Sequence, residues 1–431
     1  MNVKAIPSVS LWDNLRFNLC YVAPLILQGL FVRQKFWVQL FSLIHYDPQM
    51  QRFCTRLRRH YRADLVYVRM LFTKSLLVLN HADAAQVLQD SPLIYGPPNG
   101  KVSGMSHFQP GAVTISTGAP WRVRRAYNDA ALALDSRAGP FARLIAAEVQ
   151  ATCATVSNHL RWRHLDDLFE RITLQIVFGA GVKDPATLIA LHKMMRQANR
   201  FLTFRQSRHY DAFDAAIRNA LRYPAPNSLV SACPHADATL TRRQNQVPHW
   251  LFALRDTLAE NTARALIAVL ANPALRAQVN DTINGLDLTQ SASVQALTVL
   301  EASVQEAMRL WPSTPLLTRK TLASTVLGHH LLPTGLQVIL PNNFLHRDTE
   351  NIPDADQFQP ARWQSRTDHR YNHLSNGPQV CAGKDLALFI AVAVIANLMQ
   401  KHDWQLRSPQ PPSDTASTTP NHYRLSLSIE R

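Results

Sequence analysis

Apolar residues recur at helical spacing along most of the chain. The pattern predicts helices over 140–160, 164–178, 187–203, 247–271, 293–310 and 383–400. Every position from Leu386 to Ala396 is apolar, which marks that helix as buried on all sides. Strand-like runs are few. Leu65–Met70 and Leu76–Leu79 form one pair, joined through Thr73-Lys74. Thr325–Leu327 and Leu336–Leu340 bracket a turn punctuated by Gly328, Pro333 and Gly335. A last strand, Tyr423–Ile429, follows the Pro-, Ser- and Thr-rich segment 407–420. Helix and strand do not alternate, which argues against a doubly wound sheet. The expected fold class is mainly α, a large helical domain with a small β-rich portion.

The run Phe17–Val32 is mostly apolar but interrupted by Asn18, Pro24, Gln28 and Gly29, then closed by Arg33 and Lys35. That is too broken for a spanning helix, which wants about 20 apolar residues. Two readings remain for residues 1–45: a packed N-terminal segment, or one lying on a membrane surface through Trp12, Phe31, Phe36, Trp37 and Phe41.

With 431 residues, 46% of them apolar and 17% charged, the chain has ample material for a large core. Lys+Arg exceed Asp+Glu by 15, which favours acidic partners. The basic residues are dispersed, and no zinc-finger, RRM or homeodomain pattern interleaves them, so nucleic acid is not the expected partner. Five cysteines at 20, 54, 153, 233 and 381 form no CxxC, so neither a disulfide framework nor a zinc cluster is indicated. A reducing, cytoplasmic home is expected.

The most informative stretch is Leu374-Ser-Asn-Gly-Pro-Gln-Val-Cys381-Ala-Gly383-Lys-Asp. A turn-rich loop delivers one cysteine to a helix N-terminus, where the dipole and free N–H groups favour thiolate. Gly377 and Gly383 would let the backbone approach a flat ligand. A lone thiolate so placed suits axial ligation of haem iron; a buried structural cysteine is the plainer alternative. Glu306 and Arg309 stand at i and i+3 on one helix face, a spacing common in surface pairs. Trp121 and Arg125 lie one turn apart, in a run that alone reads as a solvated basic face. Asp256-Thr257 interrupts a largely apolar helix. With Glu260 and Arg264 following, it reads alone as a solvated stripe.

Taken together these motifs resemble the cytochrome P450 superfamily. Gly377, Cys381 and Gly383 fall on the fixed positions of its haem-binding signature. Leu374 replaces the usual aromatic, and Gln379 the usual basic residue. Glu306-x-x-Arg309 and Phe358-x-Pro-x-Arg362 resemble its scaffold triad, and His346-Arg347-Asp348 its usual turn. Ala253-Leu254-Arg255-Asp256-Thr257 resembles its oxygen-activating helix, with Leu254 where Gly is common. The resemblance covers about residue 60 to the C-terminus.

It implies a single haem domain over 46–431 holding haem b by the Cys381 thiolate. The propionates would be bound by Trp121, Arg125 and Arg319, and Asp256 and Thr257 would be the catalytic pair. The implied activity is a monooxygenase inserting one oxygen atom from O2 into a hydrophobic small molecule, such as a lipid, terpenoid or other specialised metabolite. An acidic ferredoxin or flavodoxin with its reductase would supply electrons, docking near Lys384, Arg122 and Arg124. Peripheral membrane contact is a further expectation. The rivals are a hydroperoxide isomerase or peroxygenase, which the Gln-x-Cys-Ala-Gly-Lys-Asp wording resembles, and a haem-binding sensor without turnover. Phe108, Phe201, Phe204, Leu316 and Leu317 fit an apolar ligand. Lys101, His107, Arg200, Arg205 and Arg208 could pair with a carboxylate on it or form a solvated rim.

Overall fold

The computed structural model describes residues 5–44, 46–156, 158–200, 207–232, 238–363, 370–409 and 418–429. Its strands, in chain order, are β1 Leu65–Met70, β2 Thr73–Val78, β3 Tyr95–Gly96, β4 His159–Arg161, β5 Leu316–Thr321, β6 Thr325–Leu327, β7 His330–Leu332, β8 Gln337–Pro341, β9 Trp404–Ser408 and β10 Ser426–Ile429. They form a sheet ordered β1-β2-β8-β5-β3, a second ordered β4-β10-β9, and the hairpin β6-β7. Helices make up most of the remainder, as the periodicity predicts.

Three strand details differ from expectation. The register sets Met70 opposite Thr73, so the β1–β2 turn is Leu71-Phe72 and not Thr73-Lys74. Two large apolar residues in a tight turn invert the usual turn signal. The run before Gly328 pairs with β7, while β8 joins the large sheet between β2 and β5. Residues His422–Arg424 form a 3₁₀ turn, so the last strand starts at Ser426.

The helix Lys384–Lys401 runs through the middle of the large core, because its side chains are apolar around the whole circumference. It packs against the helices Ala138–Thr155, Leu258–Ala271 and Thr298–Leu310. A second core lies on the five-stranded sheet and takes in Phe17, Tyr21, Val22 and Leu25. The N-terminal segment is therefore packed on its inner side. Its outer side exposes Leu11 (90%), Trp12 (59%), Leu15 and Leu19, and Phe72 of the β1–β2 turn is 95% exposed. Asn18 ties the two together, donating to the Arg69 carbonyl and accepting from the Leu71 N–H, both at 2.7 Å. Among the described residues no helix is long and apolar enough to cross a membrane.

Glu306 and Arg309, on the helix Thr298–Leu310, are fully buried and paired at 2.8 Å. Glu306 also accepts from the Gln359 N–H at 2.9 Å, Trp363 Nε1 at 2.9 Å and Arg362 Nε at 3.2 Å. Arg309 donates to the carbonyls of His346 (2.6 Å), Ala355 (2.8 Å) and Gln357 (3.1 Å). The charges are thus compensated and hydrogen-bonded, the condition under which ionic groups persist in a core. Burial pushes the Glu306 carboxyl up. Arg309, the Gln359 N–H and Arg362 outweigh that and hold it below its ordinary value. Such a group contributes stability above its unfolded pKa and loses it as pH falls through the folded one.

The His346-Arg347-Asp348 turn extends this lattice. His346 Nδ1 donates to the Arg309 carbonyl at 3.0 Å, Arg347 pairs with Asp356 at 2.7 Å, and Arg58 reaches Asp348 at 2.6 Å. Desolvation lowers His346 to about 4, so its imidazole is neutral in the fold. Stability from this group is complete above the unfolded value of about 6.5 and falls as pH drops towards 4.

Removing one partner of the pair strands the other in the core at a cost of about 3–5 kcal/mol. Glu306→Ala and Arg309→Ala should each give little soluble protein. Soluble variant protein with an unchanged Tm would show that the pair carries no structural load.

Candidate haem-thiolate site

Cys381 sits two residues ahead of Gly383, the N-cap of helix Lys384–Lys401. The loop is held by Cys381 N–H donating to the Leu374 carbonyl at 2.8 Å and Val380 N–H to the Gly377 carbonyl at 3.0 Å. Ser375 N–H donates to the Asn372 carbonyl at 2.8 Å, and the Asn372 N–H lies 3.1 Å from His346 Nε2. The loop is thereby hung on the Glu306–Arg309 lattice. Gly377 has φ +63°, and a Cβ there would lie 2.5 Å from the Leu88 carbonyl oxygen. Its task in the fold is to admit the backbone at Leu88–Gln89, where the sequence suggested approach to a flat ligand. A Cβ at Gly383 would meet only the Leu132 side chain, at 3.4 Å.

Cys381 is solvent-accessible. Yet the surrounding protein desolvates the thiol and raises its pKa, against the opposing pull of the Gly383 N–H, Arg125 and Lys384. Cys54 and Cys153 are buried, and Cys20 is exposed on the N-terminal segment. Cys233 lies outside the described residues.

Arg125 leaves the helix Gly118–Leu132 to donate to the Val380 carbonyl, and it pairs with Asp129 at 2.8 Å. Trp121, one turn earlier, is half-buried, and its indole N–H has no acceptor among the described residues. Arg319, on β5, is 5% exposed. It donates only to Ser91 Oγ (3.2 Å) and the Thr318 carbonyl (3.1 Å), and burial lowers it to about 10. A buried guanidinium without a carboxylate is unfavourable until an anion arrives. A dianionic haem supplies that anion, so the residues present fit the group. The Gln379 side chain makes no hydrogen bond among the described residues, which leaves the anchoring to Arg319, Arg125 and Trp121. Arg124 does not join the surface expected for a redox partner. It is half-buried, donating to the Leu240 carbonyl at 2.9 Å and Ser116 Oγ at 2.5 Å. Arg122 and Lys384 are exposed.

The predicted helix 247–271 is interrupted. Val247–Phe252 and Leu258–Ala271 are α-helical, and Ala253–Thr257 forms a π turn between them. Such turns free backbone groups within a helix and recur at functional sites. The π turn forms although Leu254 stands where Gly is common; Leu254 packs into the core. The expected solvated stripe is absent. Glu260 and Arg264 are a buried pair at 3.2 Å, and Asp256 is held by His192 (2.9 Å) and Arg255 (2.8 Å). Burial pushes the Asp256 carboxyl up, but His192 and Arg255 outweigh it and keep the carboxyl below its ordinary value. Thr257 makes no hydrogen bond among the described residues, whereas Thr262 spends its hydroxyl on the Leu258 carbonyl at 2.8 Å. His192 was invisible in the sequence: nothing local distinguishes it from the other histidines.

Pro315, Asn421 and His422 border a hollow of about 70 Å3 with Arg33 and Arg264, whose walls include neither Cys381 nor Thr257. Phe201, Phe204 and Arg205 lie outside the described residues.

The profile of the Cytochrome P450 family matches residues 188–427, more than half of the chain. The chain belongs to the cytochrome P450 family. Its cofactor is accordingly protoporphyrin IX haem with an axial cysteine. Among similar P450 proteins is ferruginol synthase of Salvia pomifera, 31% identical over 143 residues, covering 32% of this chain and 32% of that protein. The probable cytochrome P450 4s3 of Drosophila melanogaster is 25% identical over 199 residues, covering 44% and 40%. The matches therefore span well under half the length of these relatives. Among solved P450 structures, retinoic acid-bound cyanobacterial CYP120A1 superposes with a TM-score of 0.71 at 16% identity, covering 88% of this chain and 94% of that one. CYP175A1 from Thermus thermophillus gives 0.65 at 17%, covering 89% and 96%. At such identity the likeness concerns the P450 fold alone.

Proposed function

We propose that this protein is a haem-thiolate monooxygenase that inserts one oxygen atom from O2 into a hydrophobic small molecule, with Cys381 as the axial ligand. The observation that carries this reading is the accessible yet desolvated Cys381 sulfur at the head of a buried helix. Haem bound there would supply the activation of O2. Cys381 would give up its proton on ligation, aided by the Gly383 N–H and the charge of Arg125. Arg319, Arg125 and Trp121 would hold the carboxylates at the cofactor's edge.

At the π turn, the Asp256 carboxylate, hydrogen-bonded to His192 Nε2 at 2.9 Å, would take up a proton and pass it on, returning to its ionised form. Thr257, its hydroxyl unclaimed in the π turn, would hold and orient that proton for the chemistry the haem supplies. Electrons would come from a separate acidic redox protein docking at Arg122 and Lys384. The test is product, NADPH and H2O2 stoichiometry with a ferredoxin and reductase supplied. Wild type should couple NADPH to product, Thr257→Ala should divert much of the flux to H2O2, and Asp256→Asn should slow turnover. Conversion of a fatty-acid hydroperoxide without NADPH, unaffected by Thr257→Ala, would establish the isomerase instead. No turnover of any kind would leave a sensor.

The exposed face of Leu11, Trp12, Leu15, Leu19, Leu71 and Phe72 supports peripheral contact with an anionic bilayer. Arg69 and Lys74 rim it, and Arg16 lies over Trp12 at 5.1 Å. Wild type should float with phosphatidylcholine vesicles containing phosphatidylserine, and the Leu11→Glu/Phe72→Glu variant should not. Equal flotation, or none in either protein, would remove the face from this role.

A further inference from the structure

We propose that the hollow bordered by Arg33, Arg264, Asn421 and His422 is a second binding site, separate from the haem, for a small monocarboxylate with a short apolar tail, such as propionate. The proposal does not rest on the monooxygenase reading, because binding there needs no turnover.

The hollow lies where the N-terminal segment meets the helix Leu258–Ala271 and the chain at 419–422. Arg33 is carried on a turn closed by the Gln34 N–H donating to the Gln28 carbonyl at 2.8 Å, and by Asn199 Nδ2 donating to the Val32 carbonyl at 2.8 Å. Its guanidinium donates to the carbonyls of Gly29 (3.1 Å) and Ser313 (2.8 Å). Arg264 donates to the Trp311 carbonyl at 3.1 Å. The two guanidiniums therefore hold carbonyls two residues apart, and Pro312 between them borders the hollow. Two residues of chain span at most about 7 Å, so both cations stand at one small space. Across it, the Asp47 carboxylate accepts from the Thr419 N–H at 3.0 Å and holds the segment 419–422 in place.

The polar groups of this wall are not balanced from within the chain. Arg264 has Glu260 at 3.2 Å, and Arg347, also at the wall, has Asp356 at 2.7 Å. Arg33 has carbonyls alone and makes no ion pair among the described residues. Arg264, Asn421 and His422 are more than nine-tenths buried, at 7%, 4% and 1% exposure. Yet Arg264 Nε, Asn421 Nδ2 and both ring nitrogens of His422 have no hydrogen-bond partner among the described residues. His422 Nε2 stands 3.9 Å from Glu260 Oε1, too far for a hydrogen bond. Buried donors without acceptors are costly, and a carboxylate relieves that cost by accepting from several of them at once.

The rest of the wall sets the ligand class. Leu25, Val38, Phe41, Met50 and Leu310 make it apolar. A phosphate would set some of its oxygens against these side chains, whereas a carboxylate with a short alkyl tail uses both halves of the wall. A cavity of about 150 Å3 admits benzene, so the 70 Å3 here suit a molecule about half that size. An anion shared by Arg33 and Arg264 would tie the N-terminal segment to the core.

The experiment is calorimetric titration of the haem-loaded protein at constant ionic strength with sodium propionate, propionamide and sodium phosphate, with the Soret band followed in parallel. Wild type should bind propionate saturably, about tenfold or more tighter than propionamide or phosphate, and without a Soret shift. Arg33→Gln should weaken propionate about tenfold or more. Val38→Phe, which fills the hollow and leaves every donor in place, should abolish binding. Both variants should keep the wild-type Soret spectrum. No saturable binding to wild type would leave the hollow to water and overturns the proposal. So does equal affinity for propionamide, or undiminished propionate binding in either folded variant. Phosphate bound as tightly as propionate overturns the monocarboxylate class. A Soret shift with propionate that persists in both variants would put the anion at the haem, and likewise overturns the proposal. Failure of the monooxygenase reading would leave all these results unchanged.

Discussion

One buried carboxylate organises this molecule. Glu306 is fully enclosed and ionised, and it stays so because Arg309, Arg362, Trp363 and the Gln359 N–H surround it. Arg309 spends its remaining donors on three backbone carbonyls from the loops at 346–357. Through His346 and Asn372 the same lattice reaches the turn that presents Cys381. The loop has little regular structure of its own. Its shape is set by these hydrogen bonds and by the close approach of Gly377 to the backbone at Leu88. Charges this deep are retained only when every polar group has a partner, which makes the lattice sensitive to loss of any member.

The cofactor region is built on the opposite principle. There Arg319 is buried on neutral acceptors alone, with no carboxylate beside it among the described residues. A fold that satisfies Glu306 so fully and leaves Arg319 open is poised for an anion from outside the chain. The dianionic cofactor accounts for part of that deficit. Binding of the cofactor should therefore contribute directly to the stability of the protein. The π turn at Ala253–Thr257 is a third arrangement. It spares Thr257 the back-bond that Thr262 makes, while Asp256 is clamped from the neighbouring helix by His192.

Much of this was legible in the sequence. The helix Lys384–Lys401 declared itself by apolar residues on every face, and the order of the Glu306, Arg362 and Cys381 motifs pointed to the family. What stayed hidden depended on space. Asp256, Glu260 and Arg264 have the spacing of a solvated stripe, yet each is paired, because their partners come from other elements or from the buried face itself. The Leu71-Phe72 turn was misplaced because turns are normally polar, and here the apolar pair faces outward beside Leu11 and Trp12. Leu254 stands where Gly is common, yet the π turn forms without glycine, since a widened helical turn has no need of a positive φ.

The central claim is that this scaffold exists to present the Cys381 thiolate to haem iron. The most direct test is the ferrous–CO spectrum of the wild type and of single Cys→Ser variants at 20, 54, 153, 233 and 381. The account predicts the red-shifted band of a thiolate-bound haem in the wild type and in every variant except Cys381→Ser, which should lose it. The same red-shifted band in the Cys381→Ser protein would contradict the assignment.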